Sequence, residues 1–466
     1  MGTRAYDPPR APLPKNLAEL GYDGYRGIRF RPDAALWRTG PFEAEFFHRG
    51  FLFRTPVAMN EVVDDKATPI LFDPSLFTYS EAAFSEGVTP DLGFAGMRLH
   101  APLNRPDVYD EAISFLGASY FRALGRGNVY GLSARGLLVN AATQRGEEFP
   151  IFREFWLERP ANDSEVATIF ALLDSDSVVG AYRFKVEPGM TTVVTVESRL
   201  FVRKGIEKLG IAPLTGMFVF GENDRAALAD YRPEVHDCDG LAVWTGAGEH
   251  VWRPLENPDT LRVSSFLDRR PRGFGLLQRD RAFESYQDTE ARYERRPSAW
   301  VEPLGDWGEG AVQLLELPTP TEFNDNISAY WVPREEIAAG RELAYRYRLH
   351  WGDASPAEPD AGLTVATRTG HAGISGSLPK AGERKFAVDF AGGQLAAVPA
   401  DTPLEAAVTA SGAELSAIIC VKLPDNKTWR ALFDATRQTG NAIELRCFLH
   451  LAGRALTETW SYQWTE

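Results

Sequence analysis

Two short acidic stretches stand out in this chain. Residues 234–240 read EVHDCDG, which sets Asp237 and Asp239 on either side of Cys238. Residues 322–333 read EFNDNISAYWVP, with Asp325 between two asparagines and Tyr330 and Trp331 five and six residues later. A solvent loop needs no Trp, and a buried strand does not want Asn-Asp-Asn, because buried amides and acids must find partners. The second stretch therefore reads as the lip of a ligand site.

Three chemistries fit Asp237 and Asp239. D-x-D can open a calcium loop, but the downstream Asp/Asn and Glu ligands are missing. Aspartates in a turn also cap their own backbone. The third reading is catalytic carboxylates. Glycoside hydrolysis needs two acids flanking one bond, and sugar rings pack their apolar faces on aromatic side chains. Trp244 and Trp252 follow the first stretch as Tyr330 and Trp331 follow the second. Those aromatics would equally serve as core, and the chain holds too many acids for composition to pick a pair.

Other sites are not expected. GRGNVYG at 125–131 lacks the strand–turn–helix setting and the Lys-Ser/Thr of a phosphate cradle. No G-x-S-x-G occurs; LSARG at 132–136 is a strand fragment. The seven histidines are scattered without H-E-x-x-H, which argues against zinc. Three cysteines make no disulfide framework. In LSAIICVKL, Cys420 shares a face with Ser416 and Lys422, outward. In IELRCFLHL, Cys447 shares a face with Ile443, Leu445 and Leu449, inward. No bond between them is expected.

The elements that position these residues are mostly strands. Aromatics are frequent (Trp 11, Tyr 15, Phe 28), as are Gly at 41 and Pro at 31, the composition of short strands between turns. RGIRFR, FEAEFFHRGFLF, VAMNEVV, GFAGMRLH, VYGLSARGLLVN, VATIFALL, VGAYRFKVEPG and TTVVTVESRLFV all alternate or are rich in β-formers. Helices are expected only at 16–24, 108–115, 149–155 and 334–338. The 466 residues exceed one ordinary core. GDASPAEPDAG at 352–362 reads as a linker, dividing an all-β chain into a domain over 1–352, a linker over 353–362 and a domain over 363–466 with immunoglobulin-like strand spacing. The net charge of −14 argues against nucleic acid and anionic membranes. No apolar run reaches 18 residues, so no membrane insertion is expected. The opening MGTRAYDPPRAPLP is Pro-rich and extended, unlike a signal peptide.

Long motifs in order, from YDGYRGIRFRPDAALW and FFHRGFLF through GASYFRALGRGNVYGLSARGL, RPEVHDCDGL, GFGLLQRDRAFESYQD, RPSAWVEPLGDWGEG and NDNISAYWVP to ERKFAVDF and TETWSYQW, resemble the OpgG/OpgD (MdoG/MdoD) family of periplasmic glucan biosynthesis proteins. The resemblance runs almost end to end. It implies a large N-terminal β-sandwich with a long cleft, joined to a C-terminal immunoglobulin-like sandwich. It implies a periplasmic protein acting on β-1,2-glucan, cleaving it with inversion by hydrolysis or by transfer that closes a ring. The alternative is a non-catalytic glucan-binding or scaffolding protein of the synthesis pathway. Carried over, the general acid in the NDN motif is Asp325 and the general base in the H-D-x-D motif is Asp237, with Cys238 where the family usually has Ser. Tyr330, Trp331 and Tyr120 are expected to stack sugars and Arg122 to donate to hydroxyls, without metal or cofactor. The membrane glucan synthase and a second copy of the chain are the further partners to consider. An acid must be protonated when substrate binds, which asks for an apolar, aromatic wall around Asp325. The base asks for more polar surroundings.

Overall fold

The computed structural model describes residues 2, 4–225, 229–357, 359–373, 381–440 and 442–465. Alternating side chains and β-branched residues make it nearly all strand. In Val178–Glu187, for example, the buried residues fall mostly at every second position, and this strand pairs antiparallel with Thr192–Val202 over its full length.

Two large sheets dominate. One has ten strands, with Tyr120–Ala123, Ser133–Arg135, Leu209–Gly216 and Ile327–Pro333 side by side in its middle. The other has fifteen, from Lys66–Pro69 at one edge to Glu405–Ser411 at the other. Side chains from both sheets meet in one core. Phe115 and Phe121 of the smaller sheet contact Phe184 of the larger, with ring centroids 5.1 and 5.3 Å apart. The opposite face of the ten-stranded sheet lies outside this core and carries a small apolar cluster of Leu138, Ala141, Leu315 and Tyr330 beside polar residues such as Arg135.

The larger sheet does not stop at residues 353–362. His250–Pro254 pairs in parallel with Thr459–Thr465, through Val251 opposite Thr459 and Trp252 opposite Trp460. A second core draws Trp252, Leu277 and Trp300 together with Phe386, Phe433 and Trp460. A four-stranded sheet of Leu363–His371, Glu383–Ala391, Trp429–Arg437 and Ala413–Lys422 contributes to this second core. Across the same junction Arg279 grips Glu458 with both nitrogens (2.6 and 3.0 Å) and lies 3.6 Å from the centroid of the Trp252 ring.

Five expectations need correction, and β-bulges explain three of them. Residues 108–115 and 149–155 lie in or beside the strands Val108–Leu116 and Ile151–Glu158. In the first, the pairing steps from Ile113 to Glu111, leaving Ala112 unpaired; Ala112 and Ile113 are both buried. In the second, a bulge between Phe152 and Glu154 puts Phe152 and Phe155 on the core three residues apart. The second spacing imitates a helical stripe, and the first interrupts the strand alternation. A third bulge between Ser416 and Ile419, with Ala417 at φ 51°, turns Cys420 inward against the core that holds Cys447. Both cysteines are free thiols. Residues 334–338 form no helix, because Ile337 bridges to Ile206 instead. The helix expected at 16–24 is two short helices, Lys15–Ala18 and Tyr22–Arg26, with Gly21 between them.

The Arg279–Glu458 pair has side chains only 17% and 2% exposed. Glu458→Ala strands a buried guanidinium and should cost about 3–5 kcal/mol, read as a lower urea midpoint.

Candidate active site

The site is assembled on residues 216–218, where the strand Leu209–Gly216 gives way to Phe218–Phe220. Asn326, 4% exposed, is bonded to this junction by every polar group of its side chain. Its Oδ1 accepts from the Phe218 backbone N–H (2.8 Å), and its Nδ2 donates to the Phe218 and Leu317 carbonyls (3.0 and 2.9 Å). Its backbone N–H donates to the Gly216 carbonyl at 3.1 Å. The loop 317–326 is thereby fixed, and Asp325 is presented by the residue beside it. From the other side, the Asp237 N–H donates to the Met217 carbonyl at 2.8 Å. Both aspartates thus hang from one three-residue segment.

They face a cleft of about 430 Å³ lined by Arg122, Tyr130, Met217, Asp237, Asp288, Glu290, Tyr293, Arg296, Glu322 and Asp325, among others. Asp237 is 3% exposed, and its Oδ1 accepts a short hydrogen bond from Arg296. The Arg296 guanidinium lies 4.2 Å from the Tyr293 ring centroid, and the Tyr293 hydroxyl donates to Glu322 at 2.8 Å. Arg232 holds Glu322 and Asp288 from behind, at 2.8 and 3.0 Å.

Asp325 is open to solvent on the cleft side and crowded by protein on the others. That crowding, with the charge of Asp237, pushes its carboxyl up to about 6, against the pull of Arg122, a Thr215 hydroxyl bond and Arg296. The two carboxylates are therefore inequivalent: one rides in an ion pair, the other gains affinity for a proton.

Asp325, Asp237 and Arg122 line the same cleft. Tyr120 sits beside them, half-buried. Burial pushes its phenol up; Arg135 opposes this and the Asp325 charge adds to it. Tyr330 and Trp331 do not reach the cleft: both are 0% exposed. Their strand, Ile327–Pro333, is paired on both edges and covered on both faces, with Trp331 near Trp307 and Tyr330 packed with Leu138 and Leu315. Nor is the wall around Asp325 aromatic and apolar. It is mostly charged, and its aromatic members are Tyr293 and Tyr130, the latter 45% exposed with the Arg122 guanidinium 5.5 Å from its ring centroid. Sequence reasoning passed over Tyr130, which lies in the GRGNVYG stretch set aside above, and Arg296, which carries no local signal.

Asp239 turns into a second acidic group. Its Oδ2 accepts from the backbone N–H of Arg279 and of Asp280. His236 donates or accepts at Glu234 (2.8 Å) and at Gln278 (3.1 Å), and lies 3.5 Å from Asp239. Glu234, His236 and Asp239 have ligand atoms within 4.8 Å of one another, as do Glu222, Glu234 and Asp280, so either set could hold a cation. The partners that D-x-D lacks in sequence are supplied in space. Within the chain, His236 provides the counter-charge: burial lowers its pKa, but Glu234 and Asp239 outweigh that and hold it at about 9. Burial raises Asp239, and raises Glu222 and Asp280 to about 7 and 8.

Fold and site together define an all-β protein with a polar, acid-lined cleft. The chain matches, over residues 1–464, the family described as periplasmic glucan biosynthesis protein, MdoG, and it belongs to that family. It is 48% identical to glucans biosynthesis protein G of Rhodopseudomonas palustris over 473 residues, covering 100% of this chain and 91% of that protein. It is also 48% identical to glucans biosynthesis protein D of Stenotrophomonas maltophilia over 458 residues, covering 97% and 85%. No helix among the described residues is long and apolar enough to cross a membrane.

The second acidic group contributes to the pH dependence of stability. Glu222, Asp239, Asp280 and His236 keep their protons to higher pH in the folded chain than in the unfolded chain, which releases them near the ordinary values of 3.8–4.5 and 6.5. The stability this gives is complete below those values and lost as pH rises through the folded values of about 7 to 9. Urea midpoints should fall steadily between pH 5 and 9. The same series in EDTA should superimpose if His236 alone supplies the positive charge.

Proposed function

We propose that this protein cleaves β-1,2-glucan in the periplasm with inversion at the anomeric carbon. The observation that carries the reading is the pair of unlike carboxylates, Asp325 raised to about 6 and Asp237 bound to Arg296, on one cleft. The family's glucan-biosynthesis description supports the substrate.

In this mechanism Asp325 gives its proton to the glycosidic oxygen as the bond from that oxygen to C1 breaks. A hydroxyl oxygen attacks C1 from the opposite face and loses its proton to Asp237. If the hydroxyl is water, the product is a shorter linear chain. If it belongs to the far end of the same glucan, the product is a ring. Arg122 donates to sugar hydroxyls, and the adjacent Tyr130 and Tyr120 rings bound the sugar path. Arg296 holds the Asp237 carboxylate in place while the other oxygen meets the nucleophile. The crowding that raises Asp325 keeps its proton available in mildly acidic to neutral solution.

Purified protein incubated with linear β-1,2-glucan should yield products whose new reducing ends are α when NMR spectra are taken at once; β ends rule out inversion. Asp325→Asn should lower turnover about 10²–10⁴-fold while glucan binding survives. A variant that keeps a tenth of the wild-type rate would remove Asp325 from the acid role. Wild-type protein that binds glucan and never cleaves it would favour the scaffolding role instead.

A further inference from the structure

The polar face of the ten-stranded sheet continues past the two acids. Tyr120 is the cross-strand partner of Arg135, and Arg122, two residues along, shares the face of Tyr120. Arg135 is 3% exposed and ion-paired to Glu147 at 2.7 Å. Its guanidinium lies 5.0 Å from the Tyr120 ring centroid and 4.9 Å from that of Phe149. Its Nε donates no hydrogen bond among the described residues. Phe149, by contrast, is 51% exposed.

A lone exposed Phe means little. This one rests on a buried guanidinium, an attraction that fixes the ring's position and leaves much of the ring in solvent. The Glu147 side chain, 25% exposed, offers an acceptor beside it. Tyr120 faces Arg135 across the strands and shares a sheet face with Arg122, which lines the reaction cleft with Asp325, so the platform adjoins that cleft along one sheet face.

We infer that Phe149, Arg135, Glu147 and Tyr120 form a further sugar subsite that takes one neutral glucose unit of the glucan away from the bond being cleaved. The C–H face of the pyranose packs on Phe149, one hydroxyl donates to Glu147, and the Tyr120 phenol bonds the linkage toward Asp325. Arg135 is a positioning residue, since its charge is already matched by Glu147. The inference rests on the function proposed above and extends the same cleft by one unit.

Calorimetry in the inactive Asp325→Asn background separates the two. Short and long linear β-1,2-gluco-oligosaccharides are titrated into that variant and into the double variant with Phe149→Ala. Long chains should lose about tenfold in affinity on Phe149→Ala, roughly what burial of one aromatic face yields, while the shortest chains that bind are unaffected. Phe149→Trp should restore long-chain affinity. Equal long-chain affinity with and without the Phe149 ring overturns the subsite and leaves the functional reading standing. An Asp325→Asn protein that binds no β-1,2-glucan of any length overturns both.

Discussion

A buried primary amide has two donors and an acceptor with two lone pairs, and each one left without a partner costs about 1–3 kcal/mol. Asn326 meets this demand only if the Phe218 backbone turns both its N–H and its carbonyl toward it and Leu317 closes from the far side. The arrangement of the loop, the strand end and the two aspartates follows from that one requirement. The junction is also tight: a Cβ on Gly216 would sit 3.2 Å from Cys238 Sγ and 3.7 Å from Asp237 Cβ. The carboxylates therefore keep their spacing through backbone and amide bonds and do not depend on flexible side chains.

Charge is sorted around this frame. Arg296 faces Asp237 while crowding and repulsion act on Asp325, so the two acids diverge in character although they share one solvent space. Asp239, only two residues from Asp237, belongs to a different group, in which His236 sits between Glu234 and Asp239 and burial raises Asp239 and Asp280. The chain bends at both aspartates, which lets neighbouring acids serve separate surroundings.

Much of the strand content was legible in the alternation of side chains, and the errors are informative. One inserted residue breaks a period-two pattern, which is why Phe152–Phe155 looks like period three, Ala112–Ile113 interrupts the alternation and Cys420 falls on the other face. The acids themselves were visible as residues, but their pairing rested on the family resemblance, because nothing local joins position 237 to position 325. Tyr330 and Trp331 misled because adjacency in sequence says nothing about whether a strand is central in its sheet; theirs has neighbours on both edges. Arg296 could not be found at all without the fold that carries it to Asp237.

The parallel pairing of Val251 with Thr459 spans 208 residues of chain. At ribosomal speeds of 5–20 residues per second, the second segment is made roughly 10–40 s after the first. Until then one edge of the strand His250–Pro254 presents open N–H and carbonyl groups, and Trp252 and Trp300 lack most of the second core. An exposed edge of this kind invites pairing with other chains. Closure of this sheet is therefore a late event in folding, and until it occurs the open edge is where the chain has most need of a chaperone.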